Sequence, residues 1–268
     1  MRIVTTATGL LAGLTLALTG CEHPPNTLDA SPTISPSQRH VTDIAVQGPA
    51  APVPPDPRVG AIFLGAGDLH TCTGSVLHSA GGDLVLTAAH CLAAGINTTF
   101  VPGFSGAAAA PDVWTVDAAY FDPRWLANRD PHADYAIARV SRPEGGTIEA
   151  AAGAGLALGT APKAGTQIRV VGYPARVGGG PVGCQAGTNV TEDGYPALPC
   201  SGLVDGTSGA PWLIGSTVSG VIGGLDGGGC DDNVSYSAPF DEHIAALLAR
   251  AEAGGPGDRA PNALSGQC

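Results

Sequence analysis

Short apolar runs recur along most of the chain, and glycine- or proline-rich turns separate them. Val59–Leu64 and Gln167–Gly172 are two such runs, and neither has the length or the period of a helix. The same character marks residues 74–77, 83–87, 114–116, 134–140, 211–214 and 218–222. Many short strands with turn signals between them are typical of β-barrels and sandwiches. The pattern therefore predicts an all-β domain that begins near Arg58.

One segment departs from this pattern and predicts a helix at the end of the domain. Asp241 can cap its first turn, and Glu242 places a negative charge near the positive end of the helix dipole. The apolar residues of one face are Ile244, Leu247, Leu248 and Ala251.

Earlier in the chain, an alanine- and glycine-rich stretch over residues 150–159 has neither the strand pattern nor the helix pattern. It predicts a link between two halves of the domain, which divide near residues 150–160.

Composition supports a strand-rich fold and limits the choice of partners. The chain has 268 residues, of which 40 are glycine, 23 are proline and only 13% are charged. The formal net charge is −11 and no basic run occurs, which argues against nucleic acid, because phosphate contacts require clustered lysine and arginine. The histidines form no His-Glu-x-x-His motif. We predict neither a metal nor a cofactor.

The N-terminus, residues 1–20, has the pattern of an export signal. Arg2 precedes an apolar stretch over residues 3–20, and small residues lead directly into Cys21. The sequence Leu-Thr-Gly-Cys over residues 18–21 resembles a bacterial lipobox, which implies cleavage before Cys21 and a lipid on its sulfur. The predicted location is the outer face of a bacterial cell membrane. An ordinary secretory signal, with a secreted product, is the alternative.

A proline-rich segment follows over residues 21–57. It holds nine of the 23 prolines and has no helical or alternating period, so it predicts a disordered tether, or else a removable propeptide.

The chain has seven cysteines. If lipid occupies Cys21, the other six can all pair, and sequence alone leaves about fifteen pairings open.

Two motifs offer a base and a nucleophile for attack on an amide. Thr-Ala-Ala-His-Cys over residues 87–91 ends a hydrophobic strand and presents His90. Gly-Thr-Ser-Gly-Ala-Pro over residues 206–211 presents Ser208. Its first glycine permits a sharp turn, so that the amides of Gly206 and Ser208 can together face an oxyanion.

A carboxylate that orients the base should lie between these two motifs in the chain. Asp134 is the best candidate, because it heads an apolar strand. Asp122 and Asp130 are its rivals, but both lie in loop-like sequence and are expected to face water. The order His, Asp, Ser differs from that of α/β-hydrolases, whose serine comes first in Gly-x-Ser-x-Gly.

Together these motifs resemble the chymotrypsin-like (trypsin-like) serine proteases, and most closely their bacterial secreted members. The resemblance implies an all-β fold of two antiparallel six-stranded β-barrels with a C-terminal helix. It assigns this domain to residues 58–252 and leaves residues 253–268 as a tail. It also implies a catalytic triad of His90, Asp134 and Ser208, with an oxyanion hole formed by Gly206 and Ser208.

The sequence departs from the family's Gly-Asp-Ser-Gly-Gly-Pro pattern at two positions. Thr207 replaces the aspartate that pairs with a freed N-terminal amine in zymogens, which argues against that mode of activation, and Ala210 replaces a glycine. Gly202 stands where trypsin-like members carry an aspartate, so the residue preference stays open. The predicted substrate-binding residues are Gly202, Asp205, Gly223, Gly224 and Leu225.

The resemblance also implies disulfides. It pairs Cys72 with Cys91 beside His90. It pairs Cys184 with Cys200, where Leu-Pro-Cys over residues 198–200 is similar to bacterial relatives. Cys230 and Cys268 then form the third pair by elimination.

The expected function is a monomeric serine endopeptidase that acts on protein or peptide substrates and is held at a membrane through Cys21. Two alternatives remain. A catalytically inactive binding protein is consistent with Thr207 and Ala210, since protease folds also host non-enzymes. An esterase would use the same triad.

Overall fold

The computed structural model describes residues 48–65, 67–175, 179–229 and 233–262. The predicted signal sequence, the first part of the predicted tether and the predicted lipidation site Cys21 lie outside the described residues. Cys230 and Cys268 also lie outside them, and so does the third predicted disulfide.

Seventeen strands occur in the described residues, and most of them are short. Their bounds are β1 Gly48–Pro49, β2 Ala51–Pro52, β3 Val59–Leu64, β4 His70–Val76, β5 Leu84–Thr87, β6 Thr98–Pro102, β7 Trp114–Phe121, β8 Ala136–Ser141, β9 Ala157–Leu158, β10 Gln167–Gly172, β11 Val182–Gly187, β12 Asn189–Val190, β13 Pro196–Leu198, β14 Cys200–Ser201, β15 Pro211–Ile214, β16 Thr217–Val221 and β17 Ser235–Tyr236. The α-helices of the same residues are α1 Pro123–Asn128, α2 Ile148–Ala152 and α3 Glu242–Ala253.

The first half of the domain is a closed barrel with strand order β3-β4-β5-β8-β7-β6. Ile62 of β3 packs in the core of this barrel. Its neighbours Ala61 and Phe63 instead pack with Val171 and Tyr173 of the second half. Because successive strand residues point to opposite faces, β3 buries both of its faces, and this explains its uninterrupted apolar sequence.

The second half is built around a six-stranded sheet with strand order β2-β11-β10-β15-β16-β9. A three-stranded sheet, β12-β13-β17, and the parallel pair β1-β14 complete it. The predicted link between the halves contains α2 and β9, and β9 pairs with β16 in parallel. The predicted all-β class with two strand-rich halves is confirmed.

The predicted C-terminal helix is α3, and Asp241 caps it by accepting a hydrogen bond from the His243 amide at 2.9 Å. Its buried residues Ile244, Leu247 and Ala251 pack into a cluster that includes residues of both halves. The helix therefore covers the seam between the halves. No helix within the described ranges is both long enough and apolar enough to cross a membrane.

The structure differs from the predicted domain boundaries at both ends. Residues 48–52, which were assigned to the tether, form β1 and β2 and pair with strands of the second half. Proline is tolerated at a sheet edge, where one side of the strand needs no partner, and this explains how a proline-rich segment joins the fold. At the other end, Asp258 accepts from the Phe121 amide at 2.8 Å and pairs with Arg250 at 2.6 Å, which fixes part of the predicted tail on the first barrel.

Two of the predicted disulfides are present, Cys72–Cys91 and Cys184–Cys200. The first joins β4 to the turn that carries His90. The second joins β11 to β14. Disulfides are typical of proteins that are exported to oxidising compartments.

Candidate active site

His90 lies in a short 3₁₀ turn, Ala89–Cys91, directly after β5. The apolar strand β5 is fully buried, so the turn leaves the barrel at a fixed point. The Cys72–Cys91 disulfide then ties the turn to β4. The position of His90 is therefore set by a barrel strand on one side and by a covalent link on the other.

Asp134 stands between a 3₁₀ turn, Pro131–Ala133, and β8, and only 1% of it is exposed. Its Oδ1 accepts from the His90 amide at 3.0 Å, and its Oδ2 contacts His90 Nδ1 at 2.8 Å. Oδ2 also accepts from the Gly224 amide at 2.8 Å. Because a carboxylate can only accept, His90 Nδ1 must carry the proton, which leaves Nε2 as a lone-pair acceptor.

The electrostatics of this pair favour the ionised carboxylate. Burial raises the pKa of Asp134, but electrostatic attraction to His90 and the hydrogen bonds from His90 and Gly224 outweigh burial, and the net pKa is lowered. Asp134 is therefore an anion at neutral pH.

The two rival carboxylates make other contacts, and the prediction that both face water is wrong for Asp122, which is only 1% exposed. Asp122 caps α1, pairs with Arg124 at 2.8 Å and accepts from the Tyr135 hydroxyl at 2.8 Å. Asp130 caps the 3₁₀ turn before Asp134 and contacts His132. Of the three candidates, Asp134 is the one that the structure places against His90.

Ser208 lies in a tight loop between β14 and β15 whose shape depends on glycine. Gly206 and Gly209 have φ values of 92° and 81°, which side chains rarely adopt. A Cβ on Gly206 would overlap the backbone of Ala175, and one on Gly209 would overlap the carbonyl of Thr73. The loop is thus pressed against both halves of the domain.

Thr207 is buried, and its hydroxyl donates to the Val204 carbonyl at 2.8 Å. Its own amide donates to the same carbonyl at 3.0 Å, and the Ala210 amide donates to the Thr207 carbonyl at 2.9 Å. Threonine therefore closes the loop locally, without an ion pair to a distant amine.

Thr73 on β4 connects the barrel to this loop. Its hydroxyl donates to the Gly206 carbonyl at 3.0 Å and accepts from the Tyr173 amide at 2.9 Å. Its amide donates to the Ser208 carbonyl at 2.7 Å. Sequence reasoning missed this residue, because a threonine inside a strand belongs to no motif and its partners are distant in the chain.

Replacing Thr73 by valine should therefore weaken both stability and catalysis. The side chain keeps its shape, but the buried Gly206 carbonyl and Tyr173 amide lose a partner, which costs about 2–4 kcal/mol in the free energy of unfolding. Because the Gly206 carbonyl belongs to the loop of Ser208, we also expect kcat to fall by about tenfold. Thermal unfolding and hydrolysis of an ester substrate measure the two effects. Thr73→Ser keeps the hydroxyl and should retain most of both; equal losses in the two variants would contradict this role.

His90 and Ser208 line one open cleft between the two halves. Leu64, Leu69 and Thr71 line it from the first half, and Leu203, Val204 and Ile222 line it from the second. Asp205 and Asp226 also line it, while its described lining residues include no lysine or arginine.

The predicted substrate-binding residues occupy different places around this cleft. Asp205 lines it. The Gly224 amide donates to Asp134, and a Cβ on Gly223 would lie 3.1 Å from Asp134 Oδ2. Both glycines therefore lie against the carboxylate of Asp134. Gly202 and Leu225 are chain neighbours of the lining residues Leu203 and Asp226.

One group of potential metal ligands is present in the described residues. Ligand atoms of Cys72, His90 and Cys91 lie within 4.8 Å of one another. The two cysteines are joined in a disulfide, which removes the thiolates that would bind a metal.

A family model described as a trypsin-like peptidase domain matches residues 72–237, a range that includes His90, Asp134 and Ser208. The chain belongs to this family of proteases. No curated protein matches its sequence.

Solved structures share the chymotrypsin-like fold. The protease Anisep from Arthrobacter nicotinovorans is 25% identical, with a TM-score of 0.67 over 76% of this chain and 100% of its own. The thermostable serine protease AL20 from an extremophilic microorganism is 22% identical, with a TM-score of 0.64 over 75% of this chain and 99% of its own. A Glu endopeptidase is 16% identical, with a TM-score of 0.61 over 79% of this chain and 100% of its own.

Proposed function

We propose that the protein is a serine endopeptidase that cleaves peptide bonds through an acyl-enzyme intermediate. The observation that carries this proposal is the buried contact of Asp134 with His90 Nδ1, in the wall of a cleft that Ser208 also lines. That contact fixes the tautomer that a general base requires.

In the proposed reaction, Ser208 Oγ attacks the carbonyl carbon of the peptide bond and His90 Nε2 takes its proton. The amides of Gly206 and Ser208 stabilise the oxyanion, while Asp134 stabilises the imidazolium. The carbon–nitrogen bond then breaks, and the imidazolium returns the proton to the departing amine. Water next attacks the ester, gives a proton to His90, and releases the acid as the Ser208 hydroxyl regains that proton.

The contacts of Asp134 with His90 and the hydrogen bonds that shape the loop of Ser208 favour catalysis over the alternative of an inactive binding protein. Thr207, which departs from the family pattern, closes the loop through its own hydrogen bond. Ala210 is fully buried directly before β15, where it packs in the core of the second half. Neither departure removes a group that the reaction needs.

A fluorophosphonate probe tests the proposal directly, because it reacts only with an activated serine. We expect covalent labelling of the native protein, with the adduct located on Ser208 by peptide mapping and none after prior unfolding. An unlabelled native protein, or an adduct on another residue, would overturn the proposal. Hydrolysis of casein or of a peptide library, compared with simple esters, separates an endopeptidase from an esterase.

We also propose that the protein is an exported monomer held at a membrane through lipid on Cys21. The support comes from the sequence, since the lipobox resemblance singles out Cys21, and lipid on Cys21 leaves six cysteines that can all pair. An acylated N-terminal peptide in mass spectrometry would establish the anchor, and an unmodified start downstream of Cys21 would exclude it.

A further inference from the structure

Residues 48–53, here called the N-terminal strap, pair with two strands of the second half. Gly48 and Pro49 lie in parallel register with Cys200 and Ser201. Residues 51 and 52 lie antiparallel to Gly183 and Val182. The Ala50 amide donates to the Ser201 carbonyl at 2.7 Å, and the Val53 amide donates to the Pro181 carbonyl at 3.0 Å. The strap thus bridges β11 and β14.

The strand that receives the strap leads directly into the cleft. Ser201 is followed by Gly202, by the lining residues Leu203, Val204 and Asp205, and then by Gly206. Ala50 packs against the cluster that contains Leu203 and Ile222. The strap therefore supports the wall of the cleft from behind, a few residues before the proposed oxyanion amide.

Other contacts hold the strap in place. Val53 lies against Gly183, where a Cβ would approach Val53 Cγ1 to 2.8 Å, so that position requires glycine. Asp56 pairs with Arg58 at 2.9 Å and with Arg169 of β10 at 3.0 Å. Burial raises the pKa of Asp56, but hydrogen bonds from Arg58 and Arg169 outweigh burial and lower it to about 2. Asp56, three residues after the strap, therefore stays ionised above that pH.

Residues 201–206 form this wall, and they depend on the strap more at their N-terminal end than at their C-terminal end. The C-terminal end has partners outside the strap, because the Ala175 amide donates to the Asp205 carbonyl and the Thr73 hydroxyl donates to the Gly206 carbonyl. At the beginning, the Ser201 carbonyl accepts from Ala50, and the Cys184–Cys200 disulfide fixes the preceding residue.

We propose that the N-terminal strap is a positioning element of the active site: it aligns residues 201–206, so that the protease needs the strap for full activity although no strap residue touches the reacting atoms. This inference rests on the proposed function. Its regulatory consequence is that proteolytic removal of the strap would switch the enzyme off, the opposite of activation by removal of an N-terminal segment.

The Ala50→Pro variant of the full chain tests the strap, because proline removes the amide that donates to Ser201. Proline already occupies positions 49 and 52, so the extended backbone tolerates it. We expect labelling of Ser208 by the fluorophosphonate probe, and kcat for a peptide substrate, to fall by about 10- to 100-fold per folded molecule. Ala50→Ser keeps the amide and is the matched control, expected to react at the wild-type rate.

Measurement per folded molecule separates positioning from a general loss of stability. Thermal unfolding gives the folded fraction of Ala50→Pro, and circular dichroism checks its fold. Labelling of that folded fraction should still be about 10- to 100-fold slower than labelling of Ala50→Ser. Wild-type rates in the folded fraction of Ala50→Pro would overturn the role of the strap. A wild-type protein that the probe does not label would instead overturn the proposed function.

Discussion

Replacing Ser208 by alanine is expected to abolish peptide hydrolysis, with kcat lower by about 10⁶-fold. Alanine has no oxygen to form the acyl-enzyme, so the carbonyl carbon has no nucleophile in the enzyme. Backbone hydrogen bonds from Thr73 and within residues 204–210 hold the loop, so the fold should remain intact. Hydrolysis of casein and of a peptide library measures the loss, and circular dichroism checks the fold. A variant that kept full activity would show that Ser208 is not the nucleophile.

Replacing Asp134 by asparagine should lower kcat by about 10⁴-fold while leaving the cleft in place. Each carboxylate oxygen accepts hydrogen bonds, from the His90 amide on one side and from His90 Nδ1 and Gly224 on the other. An asparagine NH₂ group must face one of these donors. If it faces Nδ1, the imidazole must accept there and carry its proton on Nε2, where it cannot deprotonate Ser208.

Asp122→Asn is the matched control for this prediction. Asp122 is another carboxylate that is only 1% exposed, but its partners are Arg124 and Tyr135 instead of His90. We expect this control to lower the unfolding temperature and to leave kcat nearly unchanged. Equal losses of kcat in the two variants would mean that Asp134 acts through stability alone.

Sequence alone predicted several strands with the bounds that the structure has, namely Val59–Leu64, Gln167–Gly172 and Pro211–Ile214. Val59–Leu64 is buried on both faces and leaves a continuous apolar signal, whereas Gln167–Gly172 alternates exposed and buried residues in its first half. Strands β6 and β11 were missed, since threonine, glycine and glutamine interrupt their apolar residues. Their identity is decided by pairing with distant strands.

The same distinction applies to the candidate site. His90 and Ser208 stand in local motifs, so the sequence could indicate them and could rank Asp134 above its rivals. Thr73 and the strap could not be predicted in this way. The Thr73 hydroxyl donates to the Gly206 carbonyl, and the Ala50 amide of the strap donates to the Ser201 carbonyl. Each bond joins segments more than 100 residues apart, and neither partner stands in a local motif that would predict it.

The two halves contribute different parts of the candidate site, and this has a consequence for the newly made chain. His90 and Asp134 belong to the barrel that is synthesised first, whereas Ser208 and Gly224 come later, followed by the helix that packs against both halves. A chain that is still being translated or exported therefore lacks the nucleophile and one hydrogen bond of the carboxylate. The peptidase proposed here cannot attack the proteins of its own cell until the chain has been made at least as far as Gly224, which donates to Asp134.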